Sequence, residues 1–182
     1  GGCIERYHDD KIKDIEAGSG GLILQPFWTP GITNPNASGA IIGFSDFHTR
    51  YHLYRAIIEG ICLELYHGLV KMQKRSSVTV DELFAGGGGS SSPVVCQIAA
   101  DVFGLPVHRI QTHEASAVGC AMVAFISQGV YGSYEDAIEH MVHKKDVFIP
   151  NEENHRTYLK IYGKEYSHLA SRLKPIEKYL HH

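Results

Sequence analysis

The stretch AGGGGSSSPVVCQIAADVFGLPV, Ala85 to Val107, sets four consecutive glycines and three serines in front of an apolar periodic run. A Gly/Ser run between polar flanks reads as a flexible linker. Here the flanks differ. An apolar segment, Val80 to Ala85, enters as a strand, and Ser92 as N-cap with Pro93 at the first helical position opens the helix VVCQIAADVF, which stops at Gly104. Strand, glycine loop, helix is the setting in which backbone N–H groups converge on an anion, helped by the helix N-terminus. A Walker A loop is excluded, because Ser90 to Ser92 are followed by Pro93 rather than by a lysine and a hydroxyl. The dinucleotide fingerprint is excluded too, since no third glycine stands inside the helix at the required spacing. A nucleotide-contacting loop of another type, a close-packing loop and a linker remain. In the first reading the glycines leave the backbone approachable and the serines donate hydrogen bonds to ribose, base or phosphate.

Outward from this stretch the order is strand, long helix, strand, glycine loop, helix, strand and three helices, an α/β pattern without a solenoid repeat. Two short strands, Leu22–Leu24 and Ala40–Phe44, flank a turn-rich segment and read as a hairpin or as neighbours. From Asp46 a long amphipathic helix runs to the basic segment Lys71–Arg75, with Leu53, Ile57, Ile61, Leu65 and Leu69 recurring every four residues and joined by Ala56 and Cys62. Gly60 in its middle costs about 1 kcal/mol relative to alanine, which a close-packed neighbour would explain. After a short strand at Leu105–Ile110 comes a small-residue helix, SAVGCAMVAFISQG, in which Gly119, Ala121 and Ala124 suit close packing and Gly129 is a cap. Ser133 and Asp136 form a variant capping box before AIEHMV, and Glu152–Leu180 is a last periodic segment.

At 182 residues one domain is the default, preceded by a polar lead-in over residues 1–20 and followed by His181 and His182, which read as a tag remnant. The chain opens on Gly1 and reads as a piece of something longer. Seventeen Lys and Arg against 20 Asp and Glu give a formal charge of -3, which argues against a nucleic-acid or anionic-membrane surface. No run reaches transmembrane length. Cys3, Cys62, Cys96 and Cys120 show neither a disulfide framework nor a metal pattern; the last three read as buried thiols in a reducing, cytoplasmic setting.

Other chemistry-bearing residues read as structural. His48 and His52, one turn apart beside Asp46, lack a third ligand for a metal site. His140 and His143 lie on a surface-like helix. Asp101 and Glu114 sit at helix ends rather than forming a carboxylate pair. Arg55 and Glu59 form an i, i+4 ion pair worth tenths of a kcal/mol, and Cys120 lacks an activating group.

The glycine stretch resembles the signature of the FGGY carbohydrate kinases, in which a strand leads into Gly-Gly-Gly-Ala-x-Ser-Pro, a helix with Gln and Ala-Asp, and Gly-Leu-Pro-Val. GLILQPFWTP and NASGAIIGFSDFHTRYHLYRAIIEG, then HEASAVGCAMVAFISQGVYGSYEDAIEHMV, are similar to further family segments in the same order, from Gly20 to about Tyr166. The likeness is to the xylulose-kinase-like branch. It implies an actin-like, ribonuclease-H-like fold, with residues 21–180 as the C-terminal, nucleotide-binding domain of a two-domain enzyme. It also implies ATP and Mg2+, a small sugar or polyol as acceptor, an N-terminal kinase domain of the same parent as partner, and leaves a homodimer open. By the same likeness Gly88, Gly89 and Ser90 line the nucleotide, Ser92 and Pro93 stand nearby, and Gly43 faces the nucleotide side. The catalytic aspartate and the phosphate loops are expected upstream, so the isolated chain is expected to be inactive. Two departures stand out: Thr29, Pro30, Gly31, Ile32 and Thr33 replace a Gly-Glu-Arg segment, and Ser91 replaces a lysine. A non-catalytic nucleotide-binding or assembly domain of the same fold is the alternative.

Overall fold

The computed structural model of the protein describes residues 9–29 and 35–180. Cys3, Pro30, Gly31, Ile32, Thr33, His181 and His182, with the readings that fall on them, lie outside the described residues. Among the described residues there are two small sheets. Strands β1 (Ile23–Gln25) and β2 (Ala40–Ile42) pair antiparallel, with Ile23 opposite Ile42. Strands β3 (Leu83–Ala85), β4 (Val107–Ile110) and β5 (Lys144–Phe148) lie in that order, the first pair parallel and the second antiparallel. Parallel neighbours need a crossover. Helix α2 (Pro93–Phe103) supplies it, with Ser92 as N-cap, Pro93 in the first turn and Gly104 as a left-handed C-cap.

Helix α1 (Arg50–Ser76) starts four residues after the position read from sequence. Thr49 is its cap: the hydroxyl accepts from the Tyr51 N–H, while His52 takes the usual Glu place and accepts the Thr49 N–H at Nδ1. The face it buries also differs from the expected stripe. A four-residue repeat advances about 40° per step around an α-helix, so Leu53 to Leu69 wind away from any single face. The buried set is Arg55, Ala56, Ile58, Glu59, Gly60, Cys62 and Leu63, whereas Ile61 and Leu65 are 40% and 60% exposed. A Cβ at Gly60 would stand 2.6 Å from the Leu24 carbonyl oxygen and 2.7 Å from Leu24 Cδ2. Glycine is thus what lets β1 cross α1.

The core joins α1 and α2 to α5 (Glu152–Ile161) and α6 (Ser167–Leu180) through Ile58, Cys62, Leu63, Ile98, Val102, Tyr158 and Leu169, with Ile12 closing one end. A π-helical turn, Tyr162–Tyr166, links α5 to α6. A smaller cluster of Cys96, Ala100 and Val107 seats α2 on the three-stranded sheet.

Helices α3 (Ala115–Ser127) and α4 (Tyr134–Met141) pack mainly on each other, and α3 buries only Met122. The close packing expected at Gly119, Ala121 and Ala124 is therefore not formed: nothing lies within 4 Å of a Cβ built on Gly119, and Ala124 is exposed. Cys120 is exposed for the same reason, while Cys62 and Cys96 are buried as expected. The capping box before α4 is half made, since the Ser133 hydroxyl accepts from Asp136 N–H but the Asp136 carboxylate turns to Gly132 N–H. Among the described residues no helix is long and apolar enough to cross a membrane.

Candidate functional site

Between β3 and α2 the glycine-serine stretch is an ordered turn. Residues Gly88–Ser91 form one 3-10 turn that hands over to α2 at Pro93. The four glycines have different reasons. A Cβ at Gly86 would stand 2.9 Å from the Ala115 Cβ, and Gly87 has φ 83 and ψ 177 while its N–H donates to His113 O at 2.8 Å. Gly88 and Gly89 have no positive φ, and among the described residues no atom lies within 4 Å of a Cβ built on either. The fold requires the first two glycines and leaves the second two unexplained.

The hydrogen bonds say which way this turn faces. Ser90 donates both its N–H and its hydroxyl to Gly87 O, at 3.0 and 2.7 Å; the Ser91 hydroxyl donates to Gly88 O at 2.7 Å, and Ser92 N–H to Gly89 O at 3.3 Å. The carbonyls of Gly87 and Gly88 are thereby directed into the turn. In a planar trans peptide the following N–H points the opposite way, so the amides of Gly88 and Gly89 point out, and neither has a partner among the described residues. The serines serve the turn: Ser90 is buried with its hydroxyl engaged, and Ser92 Oγ accepts the Val95 N–H at 3.1 Å. The donors presented outward are backbone amides, not the serine hydroxyls expected from sequence. Gly43 lies just after β2, beside the other sheet. It has φ 96, and a Cβ there would meet Gly21 O at 2.3 Å, so packing at the β1–β2 hairpin accounts for it.

Behind the turn stands Arg109 on β4, which sequence reasoning missed. Its Nη1 donates to Ser90 O and Ser91 O at 3.1 and 3.2 Å, and its Nε donates to Asp146 Oδ2 on β5 at 2.8 Å, with a second contact from Nη2 to the same oxygen. The guanidinium also lies 5.5 Å from the Phe148 ring centroid. The only sequence signal would have been an arginine and an aspartate in facing strands, and β5 was itself unrecognised. A cleft of about 560 Å³ runs along the same helix, lined by Pro93, Gln97, Asp101, Lys13, Arg55 and Phe148 among others.

The remaining polar residues frame the site. Arg55 and Glu59 form the expected i, i+4 pair, but it is buried, so the expected worth of tenths of a kcal/mol does not apply. Glu59 Oε1 accepts from Arg55 Nε at 2.8 Å, Tyr158 Oη at 2.7 Å and Gly18 N–H at 3.1 Å, and Oε2 accepts from Ser19 Oγ at 2.7 Å. Burial, then Glu59, push the Tyr158 phenol far above its ordinary range, so it stays a donor. Asp101 is buried too, and its carboxylate accepts from Asn151 N–H, Asn154 Nδ2 and Gln97 Nε2, each at 2.8 Å, fastening α5 to α2. Glu114 is exposed beside His113, so no carboxylate pair forms. His48 lies in the turn before α1 rather than on the helix; it accepts the Ser45 N–H at Nδ1 and so donates from Nε2 to Gly20 O at 3.1 Å, tying that turn to the 3-10 turn that precedes β1. His140 is surface-exposed, as read; it stacks on Tyr131 and bonds Asp136 O. Among the described residues no group of three or more His, Cys, Asp or Glu could hold a metal.

The strand–turn–helix arrangement and the mixed sheet define an α/β chain of the actin-like, ribonuclease-H-like kind, and solved sugar-kinase structures share it. The model of the C-terminal domain of the FGGY family of carbohydrate kinases matches residues 20–128, more than half of the chain, and the chain belongs to that family. The xylulose kinase of Rhodospirillum rubrum superposes with a TM-score of 0.81 at 30% identity, over 96% of this chain and 35% of that one. Similar sequences include the "Uncharacterized sugar kinase YgcE" of Escherichia coli, 32% identical over 81% of this chain, and the xylulose kinase of Staphylococcus epidermidis, 32% identical over 80%. The chain spans about a third of the length of these relatives, 30% of each.

Proposed function

We propose that the protein containing this chain transfers the terminal phosphoryl group of ATP to a hydroxyl of a small sugar or polyol, a xylulose-like ketose being favoured, and that this chain forms the ATP side of the site. The observation that carries the reading is the pair Gly88 and Gly89, glycines that the fold does not need, whose amides face outward at the entrance to α2. Clear backbone with free N–H groups at a helix N-terminus suits a ligand rich in anionic and acceptor oxygens. The name of the xylulose kinases among its relatives supports the acceptor class. Mg2+ enters as part of the nucleotide substrate, neutralising phosphate charge, and the reading assigns the ion to the phosphates rather than to a cage in this chain. The chain's own contribution is positioning: the turn holds the nucleotide, and Pro93 and Ser92 fix the helix end behind it. The proton acceptor for the sugar hydroxyl is assigned to the N-terminal kinase domain of the parent.

The test is phosphorylation of a panel of pentoses, ketoses and polyols by the full-length parent and by the 182-residue chain. Turnover is expected from the parent alone; turnover by the isolated chain would overturn the division of labour. Gly89→Val in the parent is a clean probe, because the added side chain meets no protein atom at Cβ. It is expected to raise the KM for ATP about tenfold, the equivalent of about 1.4 kcal/mol, with the sugar KM unchanged. An unaltered ATP KM would remove the turn from the nucleotide site.

A further inference from the structure

We infer that Arg109, braced by Asp146, is the positioning residue of the glycine-serine turn, and that it acts on the nucleotide through the backbone of Ser90 and Ser91 rather than by contact. The inference rests on the nucleotide reading of Gly88 and Gly89. Three observations support it. Arg109 is the side chain that bridges the three-stranded sheet to the turn, giving one nitrogen to two successive carbonyls, Ser90 O at 3.1 Å and Ser91 O at 3.2 Å. Its opposite edge is locked on Asp146, directly across the β4–β5 register, so the fork cannot swing toward a ligand without breaking the ion pair. The Ser90 carbonyl it holds also accepts the Cys96 thiol at 3.6 Å, so one oxygen ties together the turn, α2 and the sheet.

The consequence follows from peptide geometry. Ser90 N–H and Oγ grip Gly87 O, and Ser91 Oγ grips Gly88 O, so the orientation of Gly88 and Gly89 depends on where Ser90 and Ser91 sit. Arg109 fixes those two residues from the far side. A planar guanidinium can satisfy a carboxylate and two carbonyls at once; an ammonium cannot reproduce that fork. Where the family resemblance places a lysine at the Ser91 position, this chain has a short side chain turned onto Gly88 O, and the Arg109 guanidinium holds the Ser91 carbonyl.

The experiment uses the full-length parent with Arg109→Lys and Asp146→Asn, the latter keeping arginine while weakening its brace. Hydrogen exchange of residues 86–92 reads the turn directly, and the KM values for ATP and for sugar read its effect. Arg109→Lys is expected to speed exchange of the turn amides at least tenfold, with α1 and α5 unchanged. The ATP KM should rise about tenfold, with the sugar KM unchanged and kcat altered less than threefold. Asp146→Asn should show the same pattern at smaller amplitude, and it carries the test should the lysine variant fail to fold. Unchanged exchange of the turn in both variants overturns the inference, whatever the kinetics. Faster exchange with an unchanged ATP KM, while Gly89→Val raises that KM, also overturns it, because the turn then binds nucleotide without needing Arg109. If Gly89→Val leaves the ATP KM unchanged, the nucleotide reading fails, and faster exchange in Arg109→Lys would still establish Arg109 as the support of the turn.

Discussion

Gly60 places two opposed effects at a single Cβ. Alanine would gain about 1 kcal/mol of helix propensity. Its methyl group, however, would stand 2.6 Å from the backbone oxygen of Leu24, an atom that cannot swing aside as a side-chain tip can. Overpacking of this kind costs about 1–3 kcal/mol, so Gly60→Ala is expected to be net destabilising, by roughly 1 kcal/mol in chemical denaturation. A gain in stability would show that β1 is free to move off α1. One residue earlier the balance is electrostatic. Glu59→Ala removes the carboxylate that balances the buried Arg55 charge and accepts the Gly18 N–H, although Ile12 O and Tyr158 Oη still accept from the guanidinium, and removal of one member of a buried pair costs about 3–5 kcal/mol. The same i, i+4 spacing describes an exposed pair and a buried one, which is why the sequence suggested tenths of a kcal/mol here. Burial is set by Tyr158 and Ser19, far from Arg55 along the chain.

Elements that are defined by local chemistry were legible; those defined by distant partners were not. Ser92, Pro93 and Gly104 delimit α2 as expected because a cap and a stop need only their neighbours. Strand β5 reads KKDVF, with charges that suit a sheet edge, and only its pairing with β4 makes it a strand. The turn itself was legible as a candidate site, but its supporting arginine was not, since Asp146 meets it through that unrecognised strand. The junction of α1 with the π-helical turn carries a pH dependence. His67 Nδ1 lies 2.8 Å from Tyr162 Oη, and burial, then Lys71, lower the imidazole below its ordinary value of 6.5. The folded state therefore binds this proton less readily than the unfolded one. Its contribution to stability is present above that ordinary value and is lost as the pH falls through the folded value. His140 has the opposite sign, because the Asp136 backbone carbonyl raises it; its contribution is present below the unfolded value and lost as the pH rises through the folded one. Thermal unfolding followed from about pH 7 to about pH 5 should thus decline less steeply in His67→Gln and more steeply in His140→Gln. Equal slopes in both variants would contradict the assigned environments.

At the scale of the whole molecule the chain leaves several large apolar side chains of α3, α4 and their connection exposed. Helix α3 is apolar around most of its circumference, a pattern that belongs to a helix covered on several sides, yet α4 is its main packing partner. Val123, Val130 and Ile138 are 53%, 59% and 49% exposed, and Phe84 on the outer strand of the three-stranded sheet is 54% exposed. Exposed apolar side chains gathered on a packed helix pair favour association. The 182-residue chain on its own is therefore expected to bind a hydrophobic dye and to self-associate at micromolar concentration in analytical ultracentrifugation. Val123→Glu should reduce both without lowering its helix content or melting temperature, since the new carboxylate faces solvent there. On the proposal that this chain is one domain of a parent as long as its relatives, which are about three times its length, further chain covers this face there, and the same substitution is expected to bury an unpaired charge and cost about 2 kcal/mol or more. A parent that tolerates Val123→Glu as well as the isolated chain does would show that α3 is left open in both.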